Sequence, residues 1–180
     1  SYCILSKVRF IGCKFVGCTL LAGRSRAMLL RECTFEDSTF EALLFDAAKI
    51  EGFTQRGGKM TGVSLSECQV RDWKATGTRY SDVNLTLCEG GSMEFSDCTL
   101  EEFGWLGGEF ASLLLRGGTV SNASATEVKC TELQLEGVRT VGISSGASAP
   151  ERLVARLCEW FRARGVEHIE PLQMVAEDVT

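Results

Sequence analysis

One five-residue period runs through about three-quarters of this chain. Of the 28 positions at multiples of five between Leu5 and Thr140, 24 are apolar, and the phase is never broken. A helix repeats every 3.6 residues and a strand every two residues, so neither accounts for this pattern. A fixed period kept over such a length predicts a repeat architecture.

The other positions of the repeat give the unit its shape. The residue two before each centre is apolar in 22 of 28 cases and tends to be small, whereas the residue just before the centre is apolar in only 4. Two inward residues that flank one outward residue make a very short strand. The residue two after each centre is Gly in 10 of 28 cases, which favours a tight corner there.

The units Cys13-Lys-Phe-Val-Gly and Cys98-Thr-Leu-Glu-Glu resemble those of the pentapeptide-repeat family, whose pattern is roughly A(D/N)LXX. The resemblance covers about residues 3–142 and rests on the sustained phase. It implies an all-β solenoid, a right-handed, four-sided parallel β-helix of about seven 20-residue coils. A capping α-helix is expected to follow at the C-terminal end.

Two departures from the family pattern predict local bulges or a widened cross-section near coils 3 to 6. Gln55 and Gly90 occupy centres where a large apolar residue belongs. Bulky residues also occupy the small inner position; they are Met28, Leu43, Phe53, Trp73, Met93, Phe103, Leu113 and Leu133.

The chain divides into a β-helix over 1–142, a small-residue linker over 143–149, a helix over 150–165 and a tail over 166–180. Ser148 and Glu151 form a predicted capping box with Pro150 in the first turn, and Gly165 supplies the stop. A solenoid needs capped ends, so a cap on the β-helix is the favoured role of this helix. A dimer contact is the alternative.

Nine cysteines initially suggest metal or disulfide chemistry, but seven of them lie on the small inward position. There is no CxxC pair, and His168 is the single histidine, so the usual zinc spacings are absent. We therefore expect no metal and no cofactor. The six thiols predicted to be buried and reduced are those of Cys13, Cys18, Cys33, Cys68, Cys88 and Cys98.

Free thiols of this kind favour a reducing, cytoplasmic setting, or a host cytoplasm if the chain is part of a delivered effector. No apolar run approaches the length that crosses a membrane, and there is no signal-peptide pattern. We therefore expect no membrane partner.

Charge is distributed unevenly along the repeat. Residues 1–80 hold 12 Lys/Arg and 8 Asp/Glu, whereas residues 81–149 hold 3 Lys/Arg and 10 Asp/Glu. Between residues 82 and 109 there are seven acids and no base, which predicts an acidic belt around coils 5 and 6. A protein partner with a basic patch would suit this belt. Its members are Asp82, Glu89, Glu94, Asp97, Glu101, Glu102 and Glu109.

The first coil is apolar at outward positions where the rest of the repeat is polar. Ile4, Ile11, Val16 and Leu21 occupy these positions. Exposed apolar patches mark contacts, so these residues are a second partner-binding candidate. A homodimer through one end of the rod is one such contact.

No catalytic set is recognisable, and the acidic balance argues against direct nucleic-acid binding. The leading hypothesis is a non-enzymatic scaffold for protein–protein interaction. A second is a DNA mimic that binds and protects DNA gyrase or topoisomerase, which predicts a long acidic face along the rod. A third is the β-helix domain of a larger bacterial effector such as a ubiquitin ligase.

Overall fold

The computed structural model describes residues 3–137, 151–163 and 166, with the side chains of residues 3, 4, 151–154 and 157 excepted. The chain divides into two compact units, Ser1–Ile143 and Ser144–Thr180. The described strands all lie in the first unit and the described helix in the second.

The described part of the first unit consists of seventeen parallel strands. Strands β1 to β9 are Cys3–Ser6, Arg9–Ile11, Lys14–Val16, Thr19–Arg26, Leu29–Arg31, Thr34–Glu36, Thr39–Asp46, Lys49–Glu51 and Thr54–Arg56. Strands β10 to β17 are Lys59–Ser66, Gln69–Arg71, Trp73–Thr76, Arg79–Ser96, Thr99–Arg116, Thr119–Ser121, Ser124–Thr126 and Lys129–Glu136.

Each strand pairs in parallel with the strand twenty residues further along the chain. Phe15 is in register with Phe35, and Leu85 is in register with Trp105. The fold is therefore a parallel β-solenoid with four five-residue units in each coil and about seven coils. The predicted fold class is confirmed.

We number the coils 1 to 7 as residues 3–22, 23–42, 43–62, 63–82, 83–102, 103–122 and 123–137. Each coil has four faces, which we number by the centres of coil 1. Face 1 is centred on Leu5, face 2 on Phe10, face 3 on Phe15 and face 4 on Leu20. Each later coil repeats these faces twenty residues on.

Burial follows the five-residue period. Most centres and most residues two before them are buried through coils 2 to 6, and the outward neighbours of each centre are exposed or half-buried. Coil 1 differs because it has a neighbouring coil on one side only. Leu5 is 36% exposed, and Phe10, Phe15 and Leu20 are half-buried.

Corners are made by left-handed backbone conformations two residues after each centre. From Lys7 to Gly137 these residues have φ between +40° and +66° at every corner except three. The exceptions are Ser92, Ser112 and Glu132, which share the corner between faces 2 and 3 in coils 5 to 7. The backbone also departs from the repeat at three inner positions, where Gly58, Gly108 and Gly118 have φ of +71°, +100° and +71°.

Both departures from the repeat pattern have a packing reason. In coils 3 and 4 a large inner residue stands beside a small or polar centre, Phe53 beside Gln55 and Trp73 beside Ala75, and all four are buried. Large and small residues thus exchange places within one unit. A Cβ at Gly90 would clash with the backbone carbonyl of Val70 in the preceding coil, and it would also lie 3.2 Å from Phe110 Cδ1.

The C-terminal helix, α1, spans Glu151–Arg162, inside the predicted range 150–165, and has Arg162 in its last turn. Gly165, the predicted stop, lies outside the described residues, as do the linker and nearly all of the tail. The capping role of the helix stays a prediction.

Candidate partner-binding face

The seven acids of the predicted belt lie around the solenoid in three separate groups. Asp82 and Glu102 occupy the same corner, between faces 4 and 1, in consecutive coils, with φ of +52° and +51°. Glu101 lies beside them on face 4, in register with Ser81. All three carboxylates are exposed, and none forms an ion pair with another described residue.

The second group lies on face 2, where Glu89 and Glu109 are in register and exposed. The third group differs because Glu94, on face 3, is half-buried and forms an ion pair with Arg116 at 2.9 Å. Asp97 lies at the corner between faces 3 and 4. Glu94 thus differs from the other acids of the belt, because a base from the next coil reaches it.

Face 1 in coils 4 to 7 has no charged side chain among its outward residues. In coils 2 and 3 the charges of this face compensate one another, since Arg24 and Arg26 lie 3.6 and 3.7 Å from Asp46. The outward residues in coils 4 to 7 are Ser64, Ser66, Asn84, Thr86, Gly104, Leu106, Ser124 and Thr126. They form a flat surface of small side chains.

Two leucines are exposed at this surface. Leu106 is 51% exposed on face 1, and Leu87 is 56% exposed at the adjoining corner. Gly107 leaves room for the Leu87 side chain, since a Cβ at Gly107 would stand 2.8 Å from Leu87 Cδ2. The leucines are thus apolar contact points on an otherwise hydroxyl-rich face.

Both corners that border this surface carry acids. Asp82 and Glu102 lie on one side, and Glu67 and Glu127 lie on the other. No Lys or Arg occurs in residues 62–67, 82–87, 102–107 or 122–127. We call the uncharged surface with Leu87 and these four acids the acid-rimmed face.

The outward apolar residues of the first coil do not form one patch. Ile11, Val16 and Leu21 are 49, 60 and 59% exposed, but they lie on faces 2, 3 and 4. The side chain of Ile4 lies outside the described residues. The apolar surface at this end is therefore a ring around coil 1 together with its half-buried centres.

The predicted thiol burial holds for four of the six cysteines. Cys33, Cys68, Cys88 and Cys98 are buried and free. Burial raises the pKa of the Cys33 and Cys98 thiols. The prediction is wrong for Cys13 and Cys18, which are free but half-buried because they belong to the end coil.

Other features of the described residues add no second site. No group of three or more His, Cys, Asp or Glu side chains within the described ranges is placed to hold a metal ion. The described helix is too short to cross a membrane. Two shallow depressions, of about 390 and 400 Å³, lie on faces 4 and 2.

The fold and this surface define a class of protein, a parallel β-solenoid of five-residue repeats that presents flat faces. No family model matches the chain. Two solved structures of trypsin-treated QnrB1, a plasmid-mediated fluoroquinolone resistance protein, are similar to it. One has a TM-score of 0.32 and 12% identity over 70% of this chain and 91% of that chain. The other has a TM-score of 0.30 and 13% identity over 90% and 98%.

A third solved structure is HetL, a pentapeptide-repeat protein involved in heterocyst differentiation regulation from Nostoc sp. strain PCC 7120. Its TM-score is 0.23, with 10% identity over 77% of this chain and 91% of that chain. Scores and identities this low support no conclusion about function.

Curated 4-hydroxy-3-methylbut-2-enyl diphosphate reductases match a short part of the chain. The Streptomyces avermitilis enzyme is 49% identical over 49 residues, 27% of this chain and 14% of the enzyme. The Corynebacterium diphtheriae enzyme is 45% identical over 49 residues, 27% of this chain and 15% of the enzyme. The chain thus spans about one-seventh of the length of the curated relatives it matches.

Proposed function

We propose that this chain is a non-enzymatic interaction module that binds a protein partner through the acid-rimmed face. The observation that carries the proposal is the charge distribution of that face. An uncharged surface over four coils has exposed leucines at Leu87 and Leu106 and acids along both borders. A polar rim around a less polar centre is the usual anatomy of a protein interface.

The face also specifies the chemistry of its partner. A flat surface of small side chains suits a flat apolar or hydroxyl-bearing surface, and the two acidic borders suit Lys or Arg on both sides of it. Because exposed charges are screened over about 8–10 Å at physiological salt, binding should weaken as salt is added. Contacts of Leu87 and Leu106 should respond less to salt.

The test begins with capture of partners by the immobilised protein, followed by titration calorimetry with each purified candidate. Reversing Asp82, Glu101 and Glu102 to lysine should abolish binding while the fold is kept, because all three side chains are exposed. Leu106→Asp should weaken binding as well. If neither added salt nor the triple reversal changes the affinity for a partner, the acid-rimmed face is not the binding site. The apolar ring of coil 1 would then be the better candidate.

A matched pair of single reversals provides the control. Asp82→Lys lies on the border of the acid-rimmed face, and Asp97→Lys lies at a corner away from it. The two aspartates have almost the same backbone conformation, with φ of +52° and +53°, and both are exposed. Only the first change should reduce affinity. Equal loss in both variants would indicate a general charge effect.

The DNA-mimic hypothesis predicts acids aligned along the rod. Among the described residues, no equivalent position carries acids in more than two successive coils. We therefore prefer the interaction module. Protection of gyrase supercoiling by the purified protein would reverse this preference.

The reductase match does not extend the proposal, because it covers only 14–15% of those enzymes. That the chain is one domain of a larger effector stays a prediction.

A further inference from the structure

Face 2 carries mainly positive charge in coils 1 to 4 and negative charge in coils 5 and 6. Its outward residues in coils 1 to 4 include four bases and one acid, which are Arg9, Arg31, Lys49, Arg71 and Glu51. In coils 5 and 6 the only charged outward residues are Glu89 and Glu109. Positive charge thus precedes negative charge along this face, with Lys129 following in coil 7.

Most of these charges form no ion pair with another described residue, in contrast to those of face 3. On face 3, Glu36 contacts Lys14 at 2.8 Å and Arg56 at 3.3 Å. The hydrogen bond from Lys14 lowers the pKa of Glu36. Neighbouring coils of this solenoid can therefore satisfy each other's charges where the side chains alternate in sign.

On face 2 the described residues form one ion pair, between Arg31 and Glu51 at 2.7 Å. Lys49, Arg71, Glu89 and Glu109 are exposed and form none. Like charges stand in register at Glu89 and Glu109, an arrangement that is unfavourable in an isolated sheet. An oppositely charged surface would relieve it.

Another molecule can approach closely where the basic part of face 2 meets the acidic part. Gly90 and Gly91 leave a depression of about 400 Å³ on this face, and Gln69, Arg71, Glu89 and Glu109 line the rest of it. In the next coil the residue in register with Gly91 is Ala111, which is equally small. A long side chain from another molecule can enter here.

We propose that face 2 binds face 2 of a second copy of this chain, with the two rods antiparallel. A two-fold axis between coils 4 and 5 places coils 3 and 4 of one copy over coils 6 and 5 of the other, so that bases meet acids twice. Lys49 and Arg71 of each copy then face Glu109 and Glu89 of its partner, respectively. Such an interface is isologous, because both copies use the same surface.

The area of face 2 indicates how stable the proposed dimer should be. In this register six coils overlap; at about 4.8 Å each they are roughly 29 Å long, and a three-residue strand is about 10 Å wide. The resulting area of roughly 290 Å² is well below the roughly 800 Å² per partner of a standard interface. The dimer should therefore form and dissociate rapidly and depend on concentration and salt.

Sedimentation of the full chain over a range of concentrations tests the proposal. It compares wild type with variants in which the acids or the bases of face 2 are reversed in charge. We expect wild type to dimerise and both Glu89→Lys/Glu109→Lys and Lys49→Glu/Arg71→Glu to weaken dimerisation at least about tenfold. An equimolar mixture of the two variants should associate again, because each supplies the charge that the other now needs. Circular dichroism checks that both variants fold.

Glu101→Lys/Glu102→Lys makes the same change in net charge away from face 2 and should leave dimerisation within about twofold of wild type. A wild type that stays monomeric, a mixture that does not associate, or equal weakening by this control would overturn the proposal. Dimers unaffected by the face 2 variants would also overturn it and would indicate a contact through an end of the rod. The outcome is separate from the proposed function, since binding of a protein partner at the acid-rimmed face does not require Glu89 or Glu109.

Discussion

Tyr80 donates its hydroxyl hydrogen to Gln55 Oε1 at 3.0 Å, across the interior of the solenoid between coils 4 and 3. The same hydroxyl oxygen accepts a hydrogen bond from Trp73 Nε1 at 3.4 Å. Tyr80 and Gln55 are fully buried, and Gln55 Nε2 has no hydrogen-bond partner among the described residues. The pair is thus a polar link inside a mostly apolar core.

A double-mutant cycle measures this link. Tyr80→Phe should cost about 1–3 kcal/mol, because it leaves the Gln55 acceptor and the Trp73 Nε1 donor unpaired in the core. Tyr80→Phe combined with Gln55→Leu should cost less than the sum of the single changes by about 1–3 kcal/mol, since both polar groups are then gone. Urea unfolding followed by circular dichroism gives the values. Strictly additive costs would show that the two side chains are not coupled.

Two glycines with similar backbone conformations should respond differently to alanine. Gly58 has φ of +71°, and a Cβ there would stand 2.1 Å from the Ser38 carbonyl oxygen. Gly77 has φ of +60° with nothing within 4 Å of that point. Gly77→Ala should therefore cost only the left-handed strain of about 1 kcal/mol.

Gly58→Ala adds a backbone clash and should cost at least about 2 kcal/mol more, as read from the unfolding midpoint. Equal costs would mean that the coils can separate locally without loss. Ala27 and Ala47, which already occupy corners at φ of +53° and +50°, show that alanine alone is tolerated at such positions.

The buried thiols should be distinguishable by their reactivity. In native protein at mildly alkaline pH, the thiols of Cys33, Cys68, Cys88 and Cys98 should stay unmodified, because they are buried and the raised pKa of Cys33 and Cys98 disfavours the thiolate. Exposed Cys130 should react first. Spectrophotometric thiol titration before and after denaturation counts both sets.

Cys130→Ser is the control for this titration, since it should remove the fast phase and leave the protected set unchanged. Rapid native reaction of all the thiols would contradict the described packing. Bound zinc at a stoichiometric level would contradict the expectation that these cysteines hold no metal.

Phe161→Ala tests whether the C-terminal helix contributes to stability. Phe161 is 8% exposed, and its ring meets that of Trp160 edge to face at 5.0 Å. Truncation of a buried aromatic typically costs about 3–5 kcal/mol, so the unfolding midpoint should fall clearly. Arg162→Ala, at an exposed position of the same turn, is the control. A Phe161→Ala midpoint within error of wild type would remove the predicted capping role.

The five-residue pattern predicts most of this fold because the sequence of each unit determines which side chains point into the core and where the backbone turns a corner. The centres, the small inner residues and the left-handed corners all follow from that local geometry. In the unit of Phe53 and Gln55 the larger side chain lies at the inner position, which is usually small, and the polar one lies at the centre. This reversal is visible in the sequence only when the two inward positions of one unit are compared.

The surfaces were harder to predict because they depend on a second period, of twenty residues. Leu87 and Leu106 are nineteen residues apart and become neighbours only when the coils stack. The pairing of Glu94 with Arg116 has the same origin, since these residues lie on adjacent coils of face 3. In the linear sequence Glu94 lies in a segment without bases, and the residues of the acid-rimmed face are far apart.

The constant register of twenty residues has a consequence for how such a chain can change in length. Removing or duplicating a whole coil keeps every remaining inward residue in the core and every corner in place. Each face then becomes shorter or longer by one strand. Inserting a single residue shifts all later inward side chains out of the core until a second change restores the phase. The length of this protein should therefore change by whole coils of twenty residues. The surfaces on faces 1 and 2 can become longer in this way while the packing of the core stays the same.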